Sequence, residues 1–159
     1  MKDGHSELKL CPEGTAKQVF TIGYEGTEIS GFVEVLIAAG IETLVDIREL
    51  PLSRKRGFSK NGLRTALEEN GISYVHMRDL GDPKEGRLAA RAGDYATFQR
   101  VFSDHMKTER ATTALRELNS LVGKSTVCLL CFEKCHLGCH RSIVVEHLMQ
   151  LDLIEARHI

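Results

Sequence analysis

Residues 126–132, Thr126-Val127-Cys128-Leu129-Leu130-Cys131-Phe132, form a near-continuous apolar run. Such a short run marks a central strand buried on both faces. Beyond it, Ile143, Val144, His147, Leu148 and Leu151 fall on one helical stripe. The stretch therefore reads strand, polar loop, helix. The same order recurs upstream. Val19, Phe20, Thr21 and Ile22 stop at Gly23, and Ile29, Phe32, Val33, Leu36 and Ile37 then follow at helical spacing between Thr27 and Gly40. Thr43, Leu44, Val45 and Ile47 suggest a second strand, Leu63, Ala66 and Leu67 a short helix ending at Gly71, and Ile72 to Met77 a third strand. Two stripes follow, one of Tyr95, Phe98, Phe102 and Met106, the other of Ala114, Leu115, Leu118, Leu121 and Val122. Leu153 to Ile159 reads as an edge strand.

Strand–helix alternation predicts an α/β domain: a mostly parallel, open sheet of about five strands with helices on both faces, a Rossmann-like three-layer arrangement. The 159 residues suit one domain. Residues 1–16 lack periodicity and read as a disordered leader, which leaves 17–159 as the folded unit. With 21 basic and 22 acidic side chains, bulk positive charge is excluded as a means of coating nucleic acid. The absence of a long apolar run predicts a chain that does not enter a membrane and is cytoplasmic. An odd count of five cysteines argues for reduced thiols rather than a disulfide framework.

In parallel sheets ligands bind beyond the carboxyl ends of the strands, which directs attention to the loops starting at Gly23, Asp46, His76 and Phe132. The first, Gly23-Tyr24-Glu25-Gly26, falls short of a dinucleotide fingerprint; Tyr24 offers a ring and a hydroxyl, or simply caps the core. The second carries the clearest charge anomaly: Arg48, Arg54, Lys55, Arg56, Lys60 and Arg64 against Glu49 alone, in a chain of net charge −1. Arginines suit phosphate, although a charge run also serves as a solvated face. Asp46 and Arg48 flank Ile47, so both point to one side of the strand end. The third loop, Arg78 to Pro83, leads into a Gly-interrupted stretch that reads as a lid or a plain surface loop.

The fourth loop runs from Cys128 to Ser142 and allows three readings. Cys128 and Cys131 have zinc-like spacing, with Cys135, His136, Cys139 and His140 to follow. Yet strand positions three apart face opposite ways, which weakens this reading. Cys135 and Arg141 match the Cys-x5-Arg spacing of thiol phosphatases, but His136 and Leu137 are bulky for a tight phosphate cradle. In the third reading, Cys139 sits at a helix N-terminus where the dipole and Arg141 favour a thiolate, with Glu133 as a nearby base. Its plain alternative makes Cys139 a small apolar residue and Arg141 a bridge to Glu133.

From Val19 to Ile154 the chain resembles the family of unknown function numbered 488 among the domain families. The marks are Thr21-Ile22-Gly23-Tyr24, Asp46-Ile47-Arg48 with Pro51, Ser53 and Arg54, then Phe58-Ser59, Gly71-Ile72 with Tyr74 and His76, and Leu80-Gly81. They end with Leu130-Cys131-Phe132-Glu133 and Cys139-His140-Arg141. The resemblance implies a compact α/β fold and supplies no activity, substrate or cofactor. Its pattern includes Cys131, Glu133, Cys139, His140 and Arg141 but not Cys128 or Cys135, which lowers the zinc and phosphatase readings.

The combined expectation is an anion-binding pocket at the carboxyl edge of the sheet. Tyr24, Arg48, Arg54, Ser59, Cys131 and Arg141 line it, and Asp46, Glu133, Cys139 and His140 supply catalytic groups. The expected ligand is a phosphate-bearing small molecule or a nucleic acid, with no cofactor and no metal. The alternatives are a non-catalytic module binding nucleic acid or protein, and a Cys135 thiol phosphatase. The last strand could pair with a second copy to give a homodimer.

Overall fold

The computed structural model describes residues 14–159; the expected leader falls mostly on residues 1–13 and to that extent lies outside the described residues. Five strands, β1 (Lys17–Gly23), β2 (Thr43–Asp46), β3 (Ser73–His76), β4 (Val127–Cys131) and β5 (Ile154–His158), form one sheet in the order β3-β2-β4-β1-β5. All four pairings are parallel. β4, the 126–132 run, lies between β2 and β1 with each of its five residues buried. A strand in that position has no polar face to show, which is why its sequence does not alternate.

Six helices cover the sheet: α1 (Ile29–Ala38), α2 (Lys60–Glu68), α3 (Lys84–Arg91), α4 (Tyr95–Met106), α5 (Glu109–Val122) and α6 (His140–Leu151). They make two cores. α1 and α2 pack Phe32, Leu36, Leu63 and Leu67 against Phe20, Ile22, Leu44 and Leu130. On the opposite face α4, α5 and α6 pack Phe102, Leu118 and Leu148 against Val19, Val45 and Leu129. The division follows strand alternation, with Leu129 and Leu130 entering different cores.

Three local differences from the expected elements have physical causes. The lid-like stretch after Pro83 is helix α3, followed by Gly93 at φ +78°. The two apolar stripes of 95–122 belong to separate helices, because Thr108 takes an extended conformation and its hydroxyl accepts from Ala111 N–H as the N-cap of α5. Thr27 does not cap α1; its hydroxyl donates to the Tyr24 carbonyl at 2.8 Å and tightens the preceding turn.

Candidate functional site

Two of the strand-end loops are held together by backbone. A Cβ at Gly23 would lie 1.8 Å from the Glu133 carbonyl oxygen, so glycine alone lets the loop after β4 cross the end of β1. Glu25 N–H donates to the Phe132 carbonyl at 2.9 Å, and the Glu25 carboxylate accepts from Lys134 N–H at 3.0 Å. The 132–134 segment is thereby fixed over β1 before it turns through a short 3-10 stretch, His136–Gly138, into α6.

Asp46 and Arg48 do share one side of their strand end, and they use it on each other. Arg48 Nε and Nη2 donate to the two Asp46 oxygens at 2.9 and 2.7 Å, and Nη1 donates to the Phe58 carbonyl and the Tyr24 hydroxyl. Tyr74 donates its hydroxyl proton to Asp46 at 2.6 Å. Burial works against the Arg48 charge, but Asp46 outweighs it and holds the guanidinium above its ordinary pKa. Burial and Asp46 together push the Tyr74 hydroxyl up. The network closes on itself and anchors the 48–58 loop, with Tyr24 stacked on Phe58 at 4.5 Å between centroids.

The basic run likewise divides. Lys55 lies 4.0 Å from Glu28, Arg64 rests on the Tyr74 ring, and Arg54 and Arg56 are exposed. Ser59 exchanges hydrogen bonds with the Ser53 backbone and so staples the loop.

Arg141 is different. It is 1% exposed, in the first turn of α6, and among the described residues only Nη2 has a partner, the Lys134 carbonyl at 2.9 Å. Nε and Nη1 find no acceptor among the described residues, so the expected bridge to Glu133 is not made. Burial draws this guanidinium below its ordinary pKa, while the charges of Cys128, Glu133 and Cys135 act in the other direction. The N-terminus of α6 has no side-chain cap either.

Cys139 is the residue that opens α6, buried, with its Sγ 3.7 Å from His140 Nδ1. His140 Nε2 lies 2.9 Å from the Ile47 carbonyl, which can only accept, so the ring proton sits on Nε2 and Nδ1 is left as an acceptor facing the thiol. Burial lowers His140 to about 4, keeping it neutral. Cys131, at the end of β4, touches Cys139 sulfur to sulfur, with Cα atoms 7.7 Å apart. That separation exceeds the roughly 7 Å a disulfide can bridge without backbone movement, so the pair is read as facing thiols. A Glu133 carboxylate oxygen lies within 4.8 Å of both sulfurs.

Cys128 faces the other core, where burial drives its thiol well up, and Cys135 is exposed four residues past the strand end. Neither joins the cluster. The phosphatase reading needs its cysteine at the end of the strand, and that place belongs to Cys131.

One group escaped the sequence reading. Asp82, before α3, is 6% exposed, and its Oδ1 has no partner among the described residues. Burial lifts it to about 7, Arg87 opposes the rise, and the charges of Glu133 and Glu49 add to it. Asp-Pro before a helix resembles any turn in sequence, so no local signal marked it. Next to it the Arg87–Glu49 ion pair borders a cavity of about 260 Å³ lined by Glu49, Arg78, Asp79, His105 and Arg110.

Neither the curated proteins nor the solved structures yield a match to this chain. The family model described as "Domain of unknown function DUF488" matches residues 28–148, a span that runs from the entry of α1 to Leu148 of α6 and includes Asp46, Arg48, Cys131, Glu133, Cys139, His140 and Arg141. With that match covering most of its length, the chain belongs to the DUF488 family.

Proposed function

We propose that the protein binds a phosphate-bearing small molecule at the carboxyl end of β4, with Arg141 as the anion-binding side chain and the start of α6 as its partner. The observation that supports this reading is the buried guanidinium with Nε and Nη1 unpartnered. An unpaired charge in the interior costs several kcal/mol, and an anion relieves that cost. The uncapped end of a twelve-residue helix favours the same charge. Arginine supplies several N–H donors, and phosphate supplies the oxygens to accept them.

Cys139, whose thiol faces the acceptor Nδ1 of a neutral His140, provides a sulfur within this site, and Glu133 a carboxylate. Asp46, Arg48, Tyr24 and Ser59 act one step back by fixing the loops.

The reading is tested by calorimetric titration with inorganic phosphate. Arg141→Gln weakens binding at least about tenfold, the loss of a charge-assisted contact, while the Arg54→Ala/Arg56→Ala pair changes it little. If Arg141→Gln binds as the wild type does, the reading fails. If the outer pair abolishes binding instead, and oligonucleotide affinity falls steeply with salt, the exposed loop is a nucleic-acid surface.

A further inference from the structure

We infer that Cys131, Glu133 and Cys139 form a binding site for a thiophilic divalent metal ion, with zinc as the best chemical fit. The three ligand atoms lie within 4.8 Å of one another. They come from the end of β4, the loop behind it and the residue that starts α6, so the fold presents them from three directions around one point.

Three features favour a metal over the simpler uses of two cysteines. First, the Cα separation of 7.7 Å is too wide for an ordinary disulfide. A tetrahedral zinc ion, bonded to each thiolate at about 2.3 Å, joins two cysteines whose Cα atoms stand this far apart once the touching sulfurs of the reduced pair part to admit it. Second, both thiols are buried and face each other, while Glu133 is on the surface and can swing in as a hard oxygen ligand. Third, the loop is held by Gly23 and Glu25, so the backbone that carries Glu133 is placed before any ion arrives.

Two sulfurs and one carboxylate oxygen leave one tetrahedral position for water or a ligand oxygen, the pattern of an open site rather than a structural one. Sulfur ligands select zinc over magnesium or calcium. Binding releases the two thiol protons to solvent, and the metal–dithiolate–carboxylate unit then carries a net charge of −1. The cysteines used are not the Cys128–Cys131 pair that spacing alone suggests. This inference does not rest on the anion site, since Arg141 supplies none of the ligands.

The test is anaerobic cobalt titration of the reduced, metal-stripped protein. Wild type is expected to develop the near-ultraviolet thiolate-to-cobalt charge-transfer band, bleached by one equivalent of zinc. Cys131→Ser and Cys139→Ser each abolish the band, Glu133→Gln weakens cobalt binding about tenfold or more, and Cys135→Ser leaves the band intact. No band in the wild type overturns the inference, as does a band that survives Cys139→Ser or disappears in Cys135→Ser. Should a serine variant fail to fold, alkylation of the wild type with and without zinc decides. Zinc must shield Cys131 and Cys139 and leave Cys135 open, and equal labelling with and without zinc refutes the site. Phosphate binding by the same samples is read separately, so loss of one property leaves the other measurable.

Discussion

At the scale of single residues, the two arginines that looked alike in sequence have opposite fates. Arg48 is forked onto Asp46, two positions away, as strand alternation allows. Removing the carboxylate with Asp46→Ala strands a buried cation and is expected to cost about 3–5 kcal/mol, read as a lowered midpoint in denaturant. Arg141 has no such partner, and replacing it should act the other way. Arg141→Met in phosphate-free buffer is expected to stabilise by about 1–3 kcal/mol, roughly 2–12 °C in Tm, while abolishing the rise in Tm that phosphate gives the wild type. A destabilised Arg141→Met would instead mark Arg141 as a packing residue. No spacing rule separates these cases, because whether a guanidinium finds a carboxylate depends on how distant loops meet.

Asp82 and His140 give the pH dependence two opposing parts. Asp82 is raised from 3.8 to about 7, so over that range the folded state keeps a proton the unfolded chain has lost. Its contribution is present at low pH and lost as pH rises towards 7. His140 is lowered from 6.5 to about 4, so its contribution is present above 6.5 and lost as pH falls towards 4. Between about 4 and 6.5 the slopes cancel in part. Asp82→Asn removes only the first, so its stability relative to wild type should grow from pH 4 to pH 7, reaching about 1–3 kcal/mol by equilibrium unfolding. A difference independent of pH would rule out the raised carboxyl.

At the scale of elements, the loop after β4 depends on one close approach. Gly23→Ala drives a methyl into the Glu133 carbonyl and should cost more than about 2 kcal/mol while also weakening phosphate binding. Gly31→Ala, inside α1 with nothing within 4 Å of the new Cβ, should stabilise by about 0.5–1 kcal/mol and leave binding alone. Equal effects of the two in unfolding and titration experiments would contradict the role given to the crossing.

Most elements were legible because burial imposes a period on them. The β4 run, the α1 stripe and the β2 and β3 segments all emerge within a few residues of their sequence-based limits. α3 was not legible, since a glycine interrupts it, only that Gly86 is buried, and its one large apolar side chain, Leu88, is exposed, so no apolar stripe marks it. The site was legible in part. Cys131, Glu133 and Cys139 lie together, with His140 beside Cys139 and Arg141 on the Lys134 carbonyl, whereas Arg54 points to solvent and Asp46 is consumed by Arg48. Asp82 reaches the site only through tertiary packing.

At the scale of the whole molecule, Asp46, Arg48, Asp82, His140 and Arg141 are buried at or beyond the carboxyl ends of the parallel strands. Among the described residues no helix is long and apolar enough to cross a membrane. That end of the sheet holds Arg48, neutralised by Asp46, and the buried Arg141, whose Nε and Nη1 have no partner among the described residues, and the second defines the account. Crystals soaked in tungstate, a heavy analogue of phosphate, locate the anion directly by anomalous scattering. The account predicts density against Arg141 Nε and Nη1 at the start of α6. Density at Arg54 and Arg56 alone, or none near Arg141, would contradict it.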